Sequence, residues 1–338
     1  MMYILFAIRK LRAVILSSVF SIFLVTNLHA QYNYKQAITL NTIQGFKDTS
    51  EQHDFYPYNK KRVKLVTLGN ITGFGGMLIG LNAEWYAKYP RSSFHFFNDY
   101  AEWKQVDKAG HAFSAYSGSR ASMELWRWAG LSRKQSIWIG GLSGVGYESV
   151  IEVLDGFSSE YGFSVTDYAA NVIGSGMFIA QELAWDDQRI KLKFSFHKKN
   201  YGQADLNARA DKIYGKTEIE RFIKDYNAQT YWLSANIHSF LPESKLPRWL
   251  NISVGYGAEG MFGARSNIAV DKTGTVVFDR SDIKRYRQWY LAPDIDLTKI
   301  RTNKKSLKII FFLLSTLKFP TPSFEFSNGE FKGHWLVF

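Results

Sequence analysis

The sequence predicts an α+β protein in which a glycine-rich helical bundle is followed by an antiparallel β-rich region. Between residues 62 and 185, apolar residues recur at helical spacing and glycines lie three or four positions apart. From Arg189 onward the apolar period changes to two, which is typical of strands. The β-rich region is either a partial or complete outer-membrane β-barrel or a soluble sheet, and the pattern leaves these alternatives open.

Residues 1–30 have the layout of a cleavable export signal. Arg9, Lys10 and Arg12 precede the apolar stretch Ala13–Val25, and Ala30 offers a small residue for cleavage. The apolar stretch is shorter than the ~20 residues that a membrane span needs, although a retained N-terminal anchor is the alternative. We therefore expect an exported protein, located in the outer membrane or in the periplasm facing it.

Composition excludes several kinds of site. The chain has no cysteine, which rules out disulfides, thiolate metal sites, cysteine nucleophiles and a lipid-bearing lipobox cysteine. Loss of residues 1–30 removes three basic residues and no acidic ones, so the net charge falls from +12 to +9. This dispersed positive charge fits outer membrane lipid or lipopolysaccharide, and nucleic acid is not expected as a partner of an exported protein. The 10 Trp and 19 Tyr residues are typical of a protein at a membrane interface.

We divide the chain into a signal peptide (1–30), an extended arm (31–60), a helical domain (61–187) and an antiparallel β-rich region (188–338). Glycine at spacings of three and four lets helix backbones approach closely, so we predict tight packing within the bundle. Internal charges such as Arg120 and Glu148 make the helices poor independent membrane spans, because a central charge costs about 2.5–3.5 kcal/mol. The predicted helices are Val63–Tyr89, Ala109–Trp128, Lys134–Leu154 and Val165–Ala184.

Strict alternation of apolar and polar residues predicts strands at 190–197, 231–238 and 250–259, with weaker candidates at 275–278, 285–291 and 323–327. Residues 306–317 instead have a helical pattern that Pro320 ends. The chain finishes on Phe338, and a terminal aromatic residue on an amphipathic strand is a feature of outer-membrane barrels. A closed barrel needs eight strands, and five or six are found.

Polar residues recur in the helical part at spacings that place them on single helix faces. Asp107 and His111 are four apart, as are Asp167 and Asn171, while the acidic residues 148, 152 and 155 are spaced four and three. Buried charges are costly unless paired, so these faces are expected to meet. The predicted structural polar network comprises Asp107, His111, Glu152, Asp155, Ser164, Asp167 and Asn171.

Some of these residues are also candidates for chemistry. His111 has the chemistry of a general base, and Glu148, Glu152 and Asp155 that of general acids. A metal would be bound by His111, Glu152 and Asp155. Because the chain has no phosphate loop, nucleophile elbow or HExxH motif, no cofactor is expected and a structural role is favoured.

Other features have simple structural interpretations. Ser164 and Asp167 form the S-x-x-D pattern of a helix cap that begins a helix at Val165. Lys108 is expected at the surface or at an interface, and Asp155 with Gly156 at a helix end.

Three motifs stand together in this stretch: D-K-x-G-H-x-x-x-x-Y from Asp107, E-x-x-D-G from Glu152, and F-S-x-x-D-x-x-x-N-x-x-G from Phe163. Over residues 60–185 this combination resembles the YfiM-like family of periplasmic lipoproteins, whose function is unassigned, and more distantly the VanZ-like membrane proteins. The chain departs from that family by lacking the lipobox cysteine and by adding a long β-rich half. This longer layout is similar to a form common in Bacteroidetes-type envelopes.

Two functions follow as expectations. The first is a non-enzymatic, outer-membrane-associated accessory protein of envelope machinery, such as outer-membrane protein assembly or export, in complex with other envelope proteins. The alternative is a membrane-proximal enzyme that acts on a lipid or cell-wall glycan headgroup through a His/carboxylate site; a small-molecule-binding or pore-forming barrel is a third class. An open cleft around His111 would favour the enzyme, and a closed network the structural role.

Overall fold

The computed structural model describes residues 56–81 and 90–337, and the predicted signal peptide and most of the predicted arm lie outside these ranges. Residues from Asn59 onward form one compact unit. The four predicted helices are confirmed where they are described. They are α1 (Lys60–Leu81), α2 (Val106–Trp128), α3 (Arg133–Asp155) and α4 (Val165–Trp185).

The helix boundaries follow from local chemistry. The Ser164 hydroxyl accepts the backbone N–H of Asp167 at 3.0 Å, which confirms the predicted cap at the start of α4. Ser132 and Gln135 form a reciprocal capping box at the start of α3. Such caps each stabilise a helix by about 1 kcal/mol.

The predicted close packing at glycine is confirmed where α3 and α4 cross α2. A Cβ atom added at Gly144 would lie 2.1 Å from the Ala115 carbonyl oxygen, and one at Gly174 would lie 2.1 Å from the Ala112 carbonyl oxygen. The prediction is wrong for the described part of α1, where a Cβ atom at any glycine meets nothing within 4 Å. Within the described ranges, Lys60–Gly80 is the one helical stretch with the length and apolar composition to cross a membrane.

The β-rich region contains one large antiparallel sheet, which confirms the α+β prediction. Its order is β1 (Ile190–Phe196), β2 (Gln229–Asn236), β3 (Leu250–Glu259), β6 (Tyr286–Ile295), β7 (Thr321–Ser327) and β8 (Glu330–Val337). A separate hairpin pairs β4 (Ile268–Val270) with β5 (Val276–Asp279), of which β4 was not predicted.

Short helices connect the strands. The predicted polar connection between β1 and β2 contains two of them, and a single helical turn follows β2. They are α5 (Ala204–Tyr214), α6 (Glu218–Lys224), α7 (Ile237–Phe240) and α8 (Lys305–Leu314), the last confirming the helix predicted before Pro320.

Strands β1 and β8 are the two edges of the sheet. The segment that leads into β7 covers the β1 edge: the Phe194 N–H donates to the Thr316 carbonyl at 2.9 Å, and the Lys318 N–H donates to the Phe194 carbonyl at 2.8 Å. Because this contact is a single bridge and not a strand ladder, no closed barrel is seen in the described residues.

The sheet has a buried polar face and an exposed apolar face. On the polar face, Lys193 pairs with Asp294 at 2.6 Å, and neither side chain is exposed. Lys191 pairs with Asp296 at the same distance. The other surface, here called the outer sheet face, carries side chains that are 42–69 % exposed: Leu233, Ile252, Val254, Trp289, Leu291, Phe324 and Phe326.

One end of the sheet packs on α2. Phe113 of α2 contacts the rings of Phe194 and Tyr231 at centroid distances of 5.7 and 5.8 Å. A Cβ atom at Gly110 would lie 2.9 Å from the Tyr231 hydroxyl, so this glycine permits the close approach. The glycine of the D-K-x-G-H motif therefore serves the contact between bundle and sheet.

Candidate functional site

The polar faces of α2, α3 and α4 meet, as their spacing predicts. They enclose a group of mostly acidic side chains, here called the polar cluster. Its members are Asp99, Asp107, Lys108, His111, Glu148, Glu152, Asp167 and Asn171.

Lys108 links three carboxylates. Its Nζ lies 2.7 Å from Asp99 Oδ2, 2.9 Å from Asp107 Oδ2 and 2.8 Å from Asp167 Oδ1. Of the two places expected for Lys108, the surface or an interface, the structure shows an interface inside the molecule: its side chain is 11 % exposed, because the three acids compensate the cost of burying it. Burial alone would lower the pKa of the ammonium, but the carboxylates outweigh it and hold this pKa above its usual range.

His111 lies between the other acids. Its Nδ1 is 3.2 Å from the amide oxygen of Asn171 and 3.8 Å from carboxylate oxygens of both Glu148 and Glu152. Its Nε2 is 3.8 Å from Asp167 Oδ2. Burial opposes protonation of the imidazole, but the charges of these carboxylates outweigh it and raise the pKa of His111.

The two glutamates of α3 are deeply buried. Glu148 is 7 % exposed and Glu152 is 1 % exposed. Burial raises the pKa of both, that of Glu152 to about 8, against the opposing effect of His111. Burial likewise raises the pKa of Asp167 to about 7. The site thus holds more acidic groups than its cations compensate.

Ser164 ties the start of α4 to this cluster. While its hydroxyl oxygen accepts the α4 cap bond, the hydroxyl donates to Asp99 Oδ1 at 2.6 Å. Its backbone N–H donates to Glu152 Oε2 at 3.2 Å. Thr166 also donates to Asp99. Burial would raise the pKa of Asp99, but its hydrogen bonds, including those with Asp167 and Lys108, outweigh it and hold that pKa below its usual range.

The structure brings most of the sequence-predicted residues together and adds Asp99 and Lys108 to them. Asp155 is the last residue of α3 and is half-buried. The negative charge of its carboxylate contributes to the raised pKa of Glu152. Sequence reasoning missed Asp99, which precedes α2 and so has no helical spacing to reveal it. For Lys108, the signal available in the sequence was its position directly after Asp107 in the D-K motif.

Some buried polar atoms of the cluster have no hydrogen-bond partner. They are Asn171 Nδ2 and Asp107 Oδ1, on residues that are 0 % and 8 % exposed. Two trios offer ligand atoms that lie within 4.8 Å of one another: His111 with Glu152 and Asp167, and Asp99 with Asp107 and Asp167. The metal candidates predicted from the sequence were His111, Glu152 and Asp155. In the structure, Asp167 takes the place of Asp155 in this trio.

The cluster is nearly closed to solvent. His111 has the most exposed side chain of its ion-pairing members, at 24 %, whereas the carboxylates are 1–11 % exposed. Such burial suits an internal network or a small ion better than a bulky substrate.

A family model described as "Predicted periplasmic lipoprotein (DUF2279)" matches residues 95–181. This range contains every member of the polar cluster and ends within α4. No curated protein and no solved structure matches the chain. The matched family supports an exported, periplasmic location, although this sequence has no cysteine to carry a lipid. Through residues 95–181, the chain is similar to a family of predicted periplasmic lipoproteins.

Proposed function

We propose that this protein is an outer-membrane-associated accessory protein of the cell envelope, which contacts lipid through its outer sheet face and catalyses no reaction. The observation that carries the proposal is the reversed polarity of the sheet, with charged and amide groups inside and apolar groups outside. A sheet whose one face contacts water normally has the opposite arrangement. Transmembrane strands alternate apolar-out and polar-in.

The apolar residues are aligned across strands in rows. One row of successive cross-strand partners is aromatic: Phe194, Tyr231, Tyr256, Trp289, Phe326 and Phe331. Its first three residues are covered by α2 and the segment before it, whereas Trp289, Phe326 and Phe331 are 42–82 % exposed. The next row is mostly aliphatic: Leu192, Leu233, Val254, Leu291 and Phe324. The exposed part of the aromatic row, on β6 to β8, borders the aliphatic row, and this arrangement is typical of membrane strands at the lipid–water boundary.

The exposed apolar band spans part of the depth of a membrane. Along β3 it runs from Leu250 to Val254, about 14 Å at 3.4 Å per residue, compared with about 25 Å for the apolar band of outer-membrane barrels. Arg287 lies two residues before Trp289 in β6 and on the same face of the sheet. It is just beyond the aromatic row and is exposed. A guanidinium at this level suits the phosphate groups of lipid or lipopolysaccharide.

The burial of the polar cluster supports the non-enzymatic part of the proposal. Its carboxylates face one another and His111 inside the bundle, which leaves little space for a lipid or glycan headgroup. The alternative, an enzyme acting on such a headgroup, is favoured only by His111, whose side chain is 24 % exposed.

Fluorescence quenching tests lipid contact directly. The mature protein is reconstituted into vesicles whose phospholipids carry bromine on their acyl chains, which quenches tryptophan on contact. We expect wild-type fluorescence to be quenched and most of the quenching to be lost in the Trp289→Phe/Trp335→Phe variant, since these side chains are 49 % and 88 % exposed.

Trp126→Phe is the matched control. Trp126 is 7 % exposed within the bundle and its indole N–H has no hydrogen-bond partner, so this change should leave quenching unaltered. Equal quenching in all three proteins, or none in wild type, would contradict lipid contact by the outer sheet face. Affinity purification in mild detergent tests the accessory role: recovery with an assembly or export component supports it, and recovery of the protein alone argues against it.

A further inference from the structure

We propose that the polar cluster binds a divalent transition-metal ion through His111, Glu152 and Asp167, with Glu148 beside them. The ion would join α2, α3 and α4, because each of these helices contributes a ligand. This inference is independent of lipid contact by the sheet, since the site lies inside the helical bundle.

The distances around His111 fit a shared ion better than direct pairing. The ring nitrogens lie 3.8 Å from oxygens of Glu148, Glu152 and Asp167, beyond hydrogen-bond range. Two ligands that each lie about 2.0–2.2 Å from one ion are separated by about 3–4 Å. The glutamates lie at this distance from Nδ1 and Asp167 from Nε2, and an ion would bind one of these two nitrogens. One ligand atom from each of His111, Glu152 and Asp167 lies within 4.8 Å of the others, which leaves space for a small cation.

Asn171 provides a second and independent observation. Its side chain is fully buried, its amide oxygen lies 3.2 Å from His111 Nδ1, and its amide nitrogen has no partner. An Nδ1–H bond to this oxygen leaves Nε2, which faces Asp167, with a free lone pair. In metal-binding histidines, the ring nitrogen that does not bind the metal typically donates a hydrogen bond, which fixes the orientation of the ring.

The charge balance also favours a cation. The cluster contains five carboxyl groups but only two basic side chains, Lys108 and His111, and His111 is neutral when it binds a metal. Lys108 is occupied by the three aspartates. Of the described residues, His111 is the basic side chain that faces Glu148 and Glu152, and as a metal ligand it is neutral, so the divalent ion would itself supply the positive charge that compensates these buried carboxylates.

The ligand chemistry selects the class of metal. An imidazole combined with carboxylates suits Zn²⁺, Mn²⁺ or Fe²⁺, whereas Ca²⁺ and Mg²⁺ prefer oxygen ligands alone. The closed surroundings are those of a structural site, because a catalytic site keeps an open position for water or substrate.

Metal analysis of the purified mature protein tests this proposal. The protein carries an affinity tag without histidine, is treated with chelator in detergent, and is titrated with Zn²⁺ or Mn²⁺. We expect about one ion per chain by elemental mass spectrometry and a higher unfolding temperature in its presence, because the ion binds the folded state. His111→Gln and Asp167→Asn should each weaken binding at least tenfold.

His334→Gln is the matched control. His334 also pairs with a carboxylate, Glu325 at 2.7 Å, but on the sheet, so its loss should leave metal binding unchanged. If the first variants fail to fold, Glu148→Gln and Glu152→Gln keep the shape of the site and should still weaken binding. The absence of stoichiometric binding to wild type, binding of Ca²⁺ or Mg²⁺ in preference, or equal loss in His334→Gln would overturn the proposal.

Discussion

The sheet and the polar cluster bury charged residues in two different ways. Inside the sheet, opposite charges are matched: Lys193 pairs with Asp294 and Lys191 with Asp296, each at 2.6 Å. Inside the polar cluster, acids outnumber bases: five carboxyl groups lie around Lys108 and His111. Matched pairs maintain a fold, whereas a surplus of buried acid requires protons or a cation.

Removing one partner of the sheet pair should be strongly destabilising. Lys193→Met leaves the Asp294 carboxylate buried beside Ser234 without its nearest cation. Loss of one member of a buried pair typically costs about 3–5 kcal/mol. We expect a decrease of that size in the free energy of unfolding, measured by denaturant titration in detergent micelles.

The double variant Lys193→Met/Asp294→Leu serves as the control. It removes the uncompensated charge, so its cost should be smaller than the sum of the two single changes. Additive effects, or a Lys193→Met cost below about 1 kcal/mol, a value typical of exposed pairs, would show that the pair is not buried in solution.

The residues of the polar cluster were predictable only where they lie on helices. The spacing of four from Asp107 to His111, and from Asp167 to Asn171, placed these groups on inward faces. Asp99 has no such spacing, since it lies in the irregular segment before α2. For Lys108 the sequence left the surface and an interface open, because only the tertiary structure brings three acids around it.

At the scale of elements, the glycine pattern predicted that helices pack closely but not which glycines are needed. Gly144 faces α2, where the helix backbones are in contact, whereas an added Cβ atom at Gly146 would meet nothing within 4 Å. Helical spacing shows which residues share one face of a helix. Only the position of the neighbouring helix shows which of those residues are in contact with it.

Alanine substitutions at these two positions should have opposite effects. At Gly144 the new methyl group would clash with the Ala115 carbonyl and the Ser119 hydroxyl, so we expect a loss of about 1–3 kcal/mol through overpacking. At Gly146 nothing opposes the better helix propensity of alanine, and stability should rise by up to about 1 kcal/mol. Thermal unfolding followed by circular dichroism measures both, and similar effects at the two sites would contradict the packing of α3 on α2.

Strand positions were predicted better than strand orientation. Alternation located β1 and β3 almost residue for residue. A period of two cannot identify which face is buried, because both sets of alternate residues fit a strand equally well. The burial of Lys193 and the exposure of Leu233 depend on how the whole sheet curves and on what covers its polar side.

At the scale of the whole molecule, register and closure could not be predicted from the sequence. The aromatic row depends on the alignment of six strands, which long connections join, and a shift of one residue would break it. The bridge between Phe194 and the segment before β7 joins parts of the chain more than 120 residues apart. Such non-local contacts leave no local pattern, so the outer sheet face was visible only in the folded chain.

The whole molecule has two possible attractions to a membrane, its positive charge and its apolar surface, and salt distinguishes them. A net charge of +9 after loss of residues 1–30 favours anionic lipid, but at 1 M salt the screening length falls to about 3 Å and this attraction is lost. Burial of exposed Leu, Trp and Phe side chains does not depend on screening, and fully burying one contributes about 1.5–3 kcal/mol.

We therefore expect the mature protein to remain bound to neutral phosphatidylcholine vesicles in 1 M NaCl, as measured by flotation. Val254→Lys/Leu291→Lys should weaken this binding, since it places two charges on the outer sheet face. Ile219→Lys, which replaces an apolar residue that is 74 % exposed on α6, should leave it unchanged. Release of wild type by salt, or binding restricted to anionic vesicles, would instead mean that the positive charge holds the protein at the surface and that the apolar rows contact another protein.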